Sequence, residues 1–182
     1  EEFRSYYSEM KCRSSKVLCD GPHLGEIETT GDLIDQTNGS RLAGFRQNVR
    51  VWRGRNVVEI DLVLDVETMP DGDPWTNYLA ARFAWNDSTA SLTRSVQQGA
   101  QGFRGERFES PYYLEIATPE ERTTILNHGQ TFHRKTAPRM LDTLLVVANE
   151  SERRFRFTIA IDEDYPLQAS LNAMISTAIL PT

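Results

Sequence analysis

The longest uninterrupted apolar run in this sequence is the five residues from Leu144 to Ala148. A helix that crosses a bilayer needs about 20 such residues, so no membrane partner is expected. No basic segment followed by an apolar one marks the N-terminus as a signal peptide. Positive charge is also in short supply. The 182 residues carry 26 Asp and Glu against 20 Lys and Arg, for a net charge of −6. Nucleic acid is therefore not an expected partner, because neutralising phosphates requires a basic face. Histidine and cysteine are scarce, at three and two residues. Neither occurs as a pair at metal-ligand spacing, which disfavours a zinc site, and no metal site is expected. Cys12 and Cys19 could close a small loop in an exported protein or remain thiols in the cytosol. Lysine is rarer than the charge total suggests: only Lys11, Lys16 and Lys135 are present, and the other 17 basic residues are Arg. Arg suits strand surfaces and ion pairs through its planar fork, although a GC-rich genome would produce the same bias. The chain opens on Glu1-Glu2-Phe3 without Met, so a piece of a longer protein is expected.

What is abundant is alternation. Val58, Ile60, Leu62, Leu64 and Val66 fall on one face of a nine-residue run, with Glu59, Asp61 and Asp65 on the other. That period of two marks a strand with one buried and one wet face. The run from Arg154 to Asp162 repeats it with Phe155, Phe157, Ile159 and Ile161. Tyr78 to Asn86, Tyr112 to Ala117, Leu141 to Val147, Gly25 to Thr30, Arg41 to Trp52 and Arg122 to Leu126 are further strand candidates. Turn signals separate them: Asp20-Gly21-Pro22, Asn38-Gly39, Arg53-Gly54, Asp71-Gly72 and Asn127-His128-Gly129. Many strands and little helical period predict an all-β, antiparallel sandwich. A short C-terminal helix is suggested by Leu171, Met174, Ile175, Ala178 and Ile179 at helical spacing. Thr118-Pro119-Glu120-Glu121 looks like a helix start, but the β-branched residues after it predict only a turn. The Gly-, Gln- and Arg-rich stretch from Gln97 to Glu109 reads as a loop.

Several residue groups invite a chemical reading. Asp71-Gly72-Asp73 and Asp162-Glu163-Asp164 have oxygen ligands for Ca²⁺, yet neither follows a full calcium-loop template, and turn chemistry accounts for them. Glu59, Asp61 and Asp65 could be paired carboxylates, but acidic wet strand faces are commoner. No Ser-His-Asp or Cys-His arrangement can be placed, and no phosphate loop is present, so no catalytic residue is assigned. Asn127 to Lys135 concentrates two histidines and two cations around Phe132, which suits sugar hydroxyls. Trp75, beside Pro74 and outside the alternation, suits stacking on a pyranose. The carbohydrate-contact candidates are therefore Trp75, Phe132, His133 and Arg134. The sequons at Asn38, Asn86 and Asn149 matter only on a eukaryotic secretory route.

Four stretches, in order, carry a family resemblance. They are Gly25 to Gly31 through Phe45-Arg46-Gln47; Arg53 to Asp61; Asn77 to Asp87; and Arg122 to Gly129 with His133-Arg134-Lys135 and Arg139 to Leu144. The series resembles the C-terminal β-sandwich of glycoside hydrolase family 38, the α-mannosidases. It covers most of residues 24–162, so residues 1–182 read as one sandwich domain. The resemblance implies a large sandwich related to the galactose-mutarotase-like folds, from a parent enzyme that cleaves α-mannosides with retention. The family's zinc and Asp nucleophile belong to N-terminal domains that this chain does not contain, so no cofactor is expected in it. The implied role is a non-catalytic module that packs on the catalytic domain of the same polypeptide and borders its carbohydrate site near His133 and Arg134. The alternatives are a stand-alone carbohydrate-binding module and a mutarotase-like epimerase that would use His128 and His133.

Overall fold

The computed structural model describes residues 7–97 and 99–175. The described residues form thirteen strands: β1 Ser8–Asp20, β2 Leu24–Asp35, β3 Arg41–Trp52, β4 Val57–Val66, β5 Leu79–Ala84, β6 Ser91–Val96, β7 Gly99–Gly102, β8 Arg107–Glu109, β9 Tyr113–Ala117, β10 Arg122–Leu126, β11 Phe132–Ala137, β12 Met140–Val146 and β13 Arg154–Ile161. Among the described residues one helix, α1, spans Pro166–Met174. The strands form two antiparallel sheets. The large one has the order β1-β2-β3-β4-β13-β10-β9-β6-β7, the small one β5-β12-β11-β8. The all-β sandwich with one short C-terminal helix is thus the architecture.

The long alternating runs build the large sheet because each offers one apolar row to the same side. β4 lies between β3 and β13, with Ile60 opposite Val49 and Phe157, and Leu62 opposite Phe155. Phe157 is 1 % exposed and meets Phe83 of the small sheet edge-on, ring centroids 5.5 Å apart. That contact fixes which faces look inward. The core joins Phe45, Leu64, Phe155 and Phe157 of the large sheet to Leu79, Leu141 and Leu145 of the small one. The tight turns fall where expected. Gly39 and Gly54 take φ of 77° and 79° between paired neighbours β2–β3 and β3–β4, a region that glycine enters at little cost.

Several expectations are corrected. Residues 8–20, which show no alternation, form β1, the edge of the large sheet. All but one of its residues are exposed, so no buried face imposed a readable alternation. Cys12 and Cys19 sit near the two ends of this extended strand and are both free. At about 3.3 Å per residue they are far too distant to bond to each other. The stretch from Gln97 to Glu109 is not simply a loop, since it contains β7 and β8. Thr118 to Glu121 does form a turn: the Thr118 hydroxyl accepts from the amides of Glu120 and Glu121 and links β9 to β10. Helix α1 begins earlier than its apolar spacing suggested. Pro166 stands at its start, and Ile175 is already extended and 67 % exposed. Ala178 and Ile179 lie outside the described residues. The helix seats itself through fully buried Ser170, whose hydroxyl donates to the Tyr112 carbonyl at 2.7 Å.

Candidate functional site

The four strands of the small sheet place one row of charge on its outer face. Arg107 of β8 stands opposite Arg134 of β11, which stands opposite Asp142 of β12, which stands opposite Arg82 of β5. Asp142 is 1 % exposed although it faces outward. It is covered by its own partners: Arg82 donates to both carboxylate oxygens at 2.6 Å, and the Tyr78 hydroxyl donates at 3.0 Å. Burial, with the Asp142 charge behind it, pushes the Tyr78 phenol up to about 12. Tyr78 therefore remains a protonated donor at any ordinary pH. The Tyr7 ring lies over the Arg82 guanidinium at 4.3 Å and completes this end of the face.

Trp75 sits above the other end of the row. Its turn is set by Asp73, whose carboxylate accepts the Trp75 amide at 3.0 Å and whose carbonyl accepts the amides of Thr76 and Asn77. Asp71 accepts the side-chain amide of Asn77 at 2.8 Å. The acidic Asp71–Asp73 segment thus does turn chemistry, as its composition indicated. Arg134 then ties the turn to the sheet. Its Nη1 donates to the Trp75 carbonyl at 2.7 Å, while its Nε and Nη2 hold Glu106 at 3.0 and 2.9 Å. The Trp75 and Phe132 rings meet edge to face, 6.1 Å apart at 88°, and Arg107 lies 5.8 Å from the Trp75 ring. Phe132 is 49 % exposed. An open depression of about 420 Å³ adjoins Arg134, bordered by Glu106 and Lys135. Three of the four carbohydrate-contact candidates, Trp75, Phe132 and Arg134, are therefore neighbours on one surface.

His133 is the exception, and the reason is the strand period. Phe132, His133 and Arg134 are consecutive in β11, so the outer positions of the first and third send the middle side chain inward. His133 is fully buried against Phe108, ring centroids 5.4 Å apart. Its Nδ1 pairs with the Thr143 hydroxyl at 3.0 Å and its Nε2 with the Ser110 carbonyl at 3.1 Å. A carbonyl only accepts, so Nε2 carries the proton and Nδ1 accepts from Thr143. Burial drives its pKa down to about 4. With no exposed surface, this ring touches no ligand on the outer face.

His128 has a different setting. It adopts φ of 49° in the bend after β10, and its Nε2 pairs with the Thr158 hydroxyl at 2.9 Å on the outer face of the large sheet. Burial and the Arg156 charge lower its pKa, against the pull of Asp61 and Glu59. The two histidines therefore lie on different sides of the large sheet and do not converge. The acidic face of β4 is part of a charge ladder: Arg50 donates to Glu26 at 2.8 Å and to Asp61, and Arg156 donates to Asp61 at 2.8 Å. Burial opposes ionisation of Asp61, but the two guanidiniums outweigh it and hold the carboxyl below its usual range. Asp162 accepts the Arg122 amide, and Asp164 pairs with its guanidinium at 3.0 Å. Among the described residues, no three His, Cys, Asp or Glu side chains are grouped to hold a metal ion. No described helix is long and apolar enough to cross a membrane.

Sequence reasoning missed Tyr78, Arg82, Asp142 and Arg107. Their one sequence signal is the excess of Arg over Lys, which is realised here as forked pairs across strands. In comparisons with known proteins, the chain matches no family model and no curated protein.

Proposed function

We propose that this chain is a non-catalytic β-sandwich module of an α-mannosidase-type glycoside hydrolase, and that the outer face of its small sheet borders a carbohydrate site. The observation that carries the reading is the platform of Trp75, Phe132 and Arg134. Two aromatic rings at right angles offer a flat face and an edge for the C–H surface of a sugar ring. The Arg134 guanidinium beside them provides donors for hydroxyls. The Arg134 bond to the Trp75 carbonyl holds the turn in place, so little ordering entropy is lost on binding. The resemblance to the family 38 sandwich supplies the class of substrate and the partner, a catalytic domain of the same polypeptide that holds the zinc.

Two measurements test this. The chain alone, with or without Zn²⁺, should show no turnover of aryl α-mannosides. Turnover abolished by a single carboxylate substitution would refute a non-catalytic role. In NMR titrations with α-linked mannose oligosaccharides, the shifted amides should cluster around Trp75 and Phe132. Trp75→Ala should weaken that binding about tenfold. Unchanged binding in the variant would remove the platform from the site.

A further inference from the structure

Helix α1 packs over β9 and β10 on the outer face of the large sheet. Between the helix and the neighbouring strands lies a cavity of about 590 Å³. That volume falls within the usual size range of small-ligand pockets. The charge ladder forms its floor, Gln168 and Asn172 its helical wall, and Tyr165, 74 % exposed, stands among its lining residues.

The chemistry of the lining selects a class of ligand. Its cations, Arg50, Arg55 and Arg156, equal its anions, Glu59, Asp61 and Glu163, in number. Arg50 is taken up by Glu26 and Asp61, and Arg156 engages Asp61 through its Nε. An anionic ligand would thus meet three carboxylates, and a cationic one three guanidiniums. Hydrogen-bonding capacity is left over. Among the described residues Arg156 engages Asp61 through its Nε, which leaves the donors of its terminal nitrogens for a ligand. Among the described residues, Glu59 has its nearest cationic partner, Arg55, only at 3.8 Å. Donors and acceptors side by side with no net charge suit hydroxyl groups, which donate and accept at once. A vicinal diol can bridge a carboxylate and a guanidinium, and the exposed Tyr165 ring offers a stacking face.

We infer that this cavity is a saccharide site, separate from the Trp75 platform, for an uncharged, hydroxyl-rich ligand of mono- to oligosaccharide size. The inference rests on the cavity's own residues and does not depend on the α-mannosidase reading.

The test is an NMR titration of the full ¹⁵N-labelled chain with methyl α-mannoside, maltotriose and cellotriose as neutral probes. Glucuronate and inorganic phosphate are the charged controls, all at up to about 50 mM, enough to detect millimolar affinity. At least one neutral saccharide should give saturable shifts at the amides of His128, Thr158 and Asn172, with the charged controls weaker. Glu59→Gln, which keeps the shape but removes an acceptor charge, should weaken this binding about tenfold. Trp75→Ala should leave it unchanged. Phosphate or glucuronate binding more tightly at these amides would overturn the inference. So would the absence of saturable shifts with every neutral probe, a Glu59→Gln variant that binds like the parent, or loss of the shifts in Trp75→Ala. An unchanged melting curve for each variant separates lost binding from lost fold.

Discussion

His133 should make the stability of the fold fall as the pH drops below neutrality. In the unfolded chain its imidazole titrates near the ordinary value of 6.5, whereas in the folded chain burial holds it at about 4. Between those two values the unfolded state binds a proton that the folded state refuses, so stability decreases with decreasing pH. The contribution is complete above about pH 6.5 and is lost as the pH approaches 4. At about 1.4 kcal/mol for each unit of pKa, the gap corresponds to about 3 kcal/mol. In a chain of this length that is a fall in melting temperature of roughly 6–12 °C. Circular dichroism melts at half-unit intervals from pH 7 to pH 4 read the slope. The Cε1 proton of His133, followed by NMR, reads the pKa directly. His128, lowered in the same direction, adds to the slope, so the parent must be compared with His133→Gln. The glutamine amide can still donate to the Ser110 carbonyl, but it does not titrate. Its curve should be flatter by most of that roughly 3 kcal/mol. A His133 ring that titrates near 6.5, or a variant with the parent's slope, would refute the buried, neutral assignment.

Two substitutions test other parts of the structure. A Cβ on Gly31 would lie 2.1 Å from the Lys11 carbonyl oxygen and 2.6 Å from the Phe45 ring. Gly31→Ala should therefore cost roughly 2–3 kcal/mol in urea denaturation, and a loss under about 0.5 kcal/mol would show that β1 moves aside freely. Asp142→Asn removes the carboxylate that holds both Arg82 and Tyr78. It should cost about 2 kcal/mol, less than for a fully buried pair because the Arg82 side chain is 34 % exposed. The same variant should bring the Tyr78 phenol down from about 12, as tyrosinate absorbance would show.

Where one strand face is buried and the other wet, the residues spell out the strand. β4 and β13 could be placed within a residue at either end for this reason. β1 escaped because all but one of its residues are exposed, so neither face had to be apolar. β11 escaped because its inward position holds a histidine in place of a hydrophobe. Phe132-His133-Arg134-Lys135 carries no apolar alternation, yet the imidazole satisfies both its nitrogens inside the core. The same misreading made His133 a surface candidate, since a loop has no period to turn one residue of three inward. Trp75, Phe132 and Arg134 could be named individually. Their meeting depends on the crossing from β4 to β5 and on the β11–β12 register, which are non-local and leave no mark on spacing along the chain.

The division of labour between faces explains how one small domain can carry two candidate surfaces without weakening its core. The apolar rows of both sheets point inward and meet through contacts such as Phe83 on Phe157. The outer faces therefore contribute little hydrophobic burial and are held by charge pairs, the forked Arg82–Asp142 pair and the single bonds of Arg50 and Arg156 to Asp61. A side chain can be exchanged on either outer face without opening a void between the sheets, which is where substitutions cost most. The Trp75 platform lies outside the small sheet and the cavity beside α1 lies outside the large one. They share no residue, and both layers of the sandwich separate them. The free-energy effects of substitutions at the two sites should therefore add, because coupling between them would have to pass through a close-packed core that neither set of residues enters.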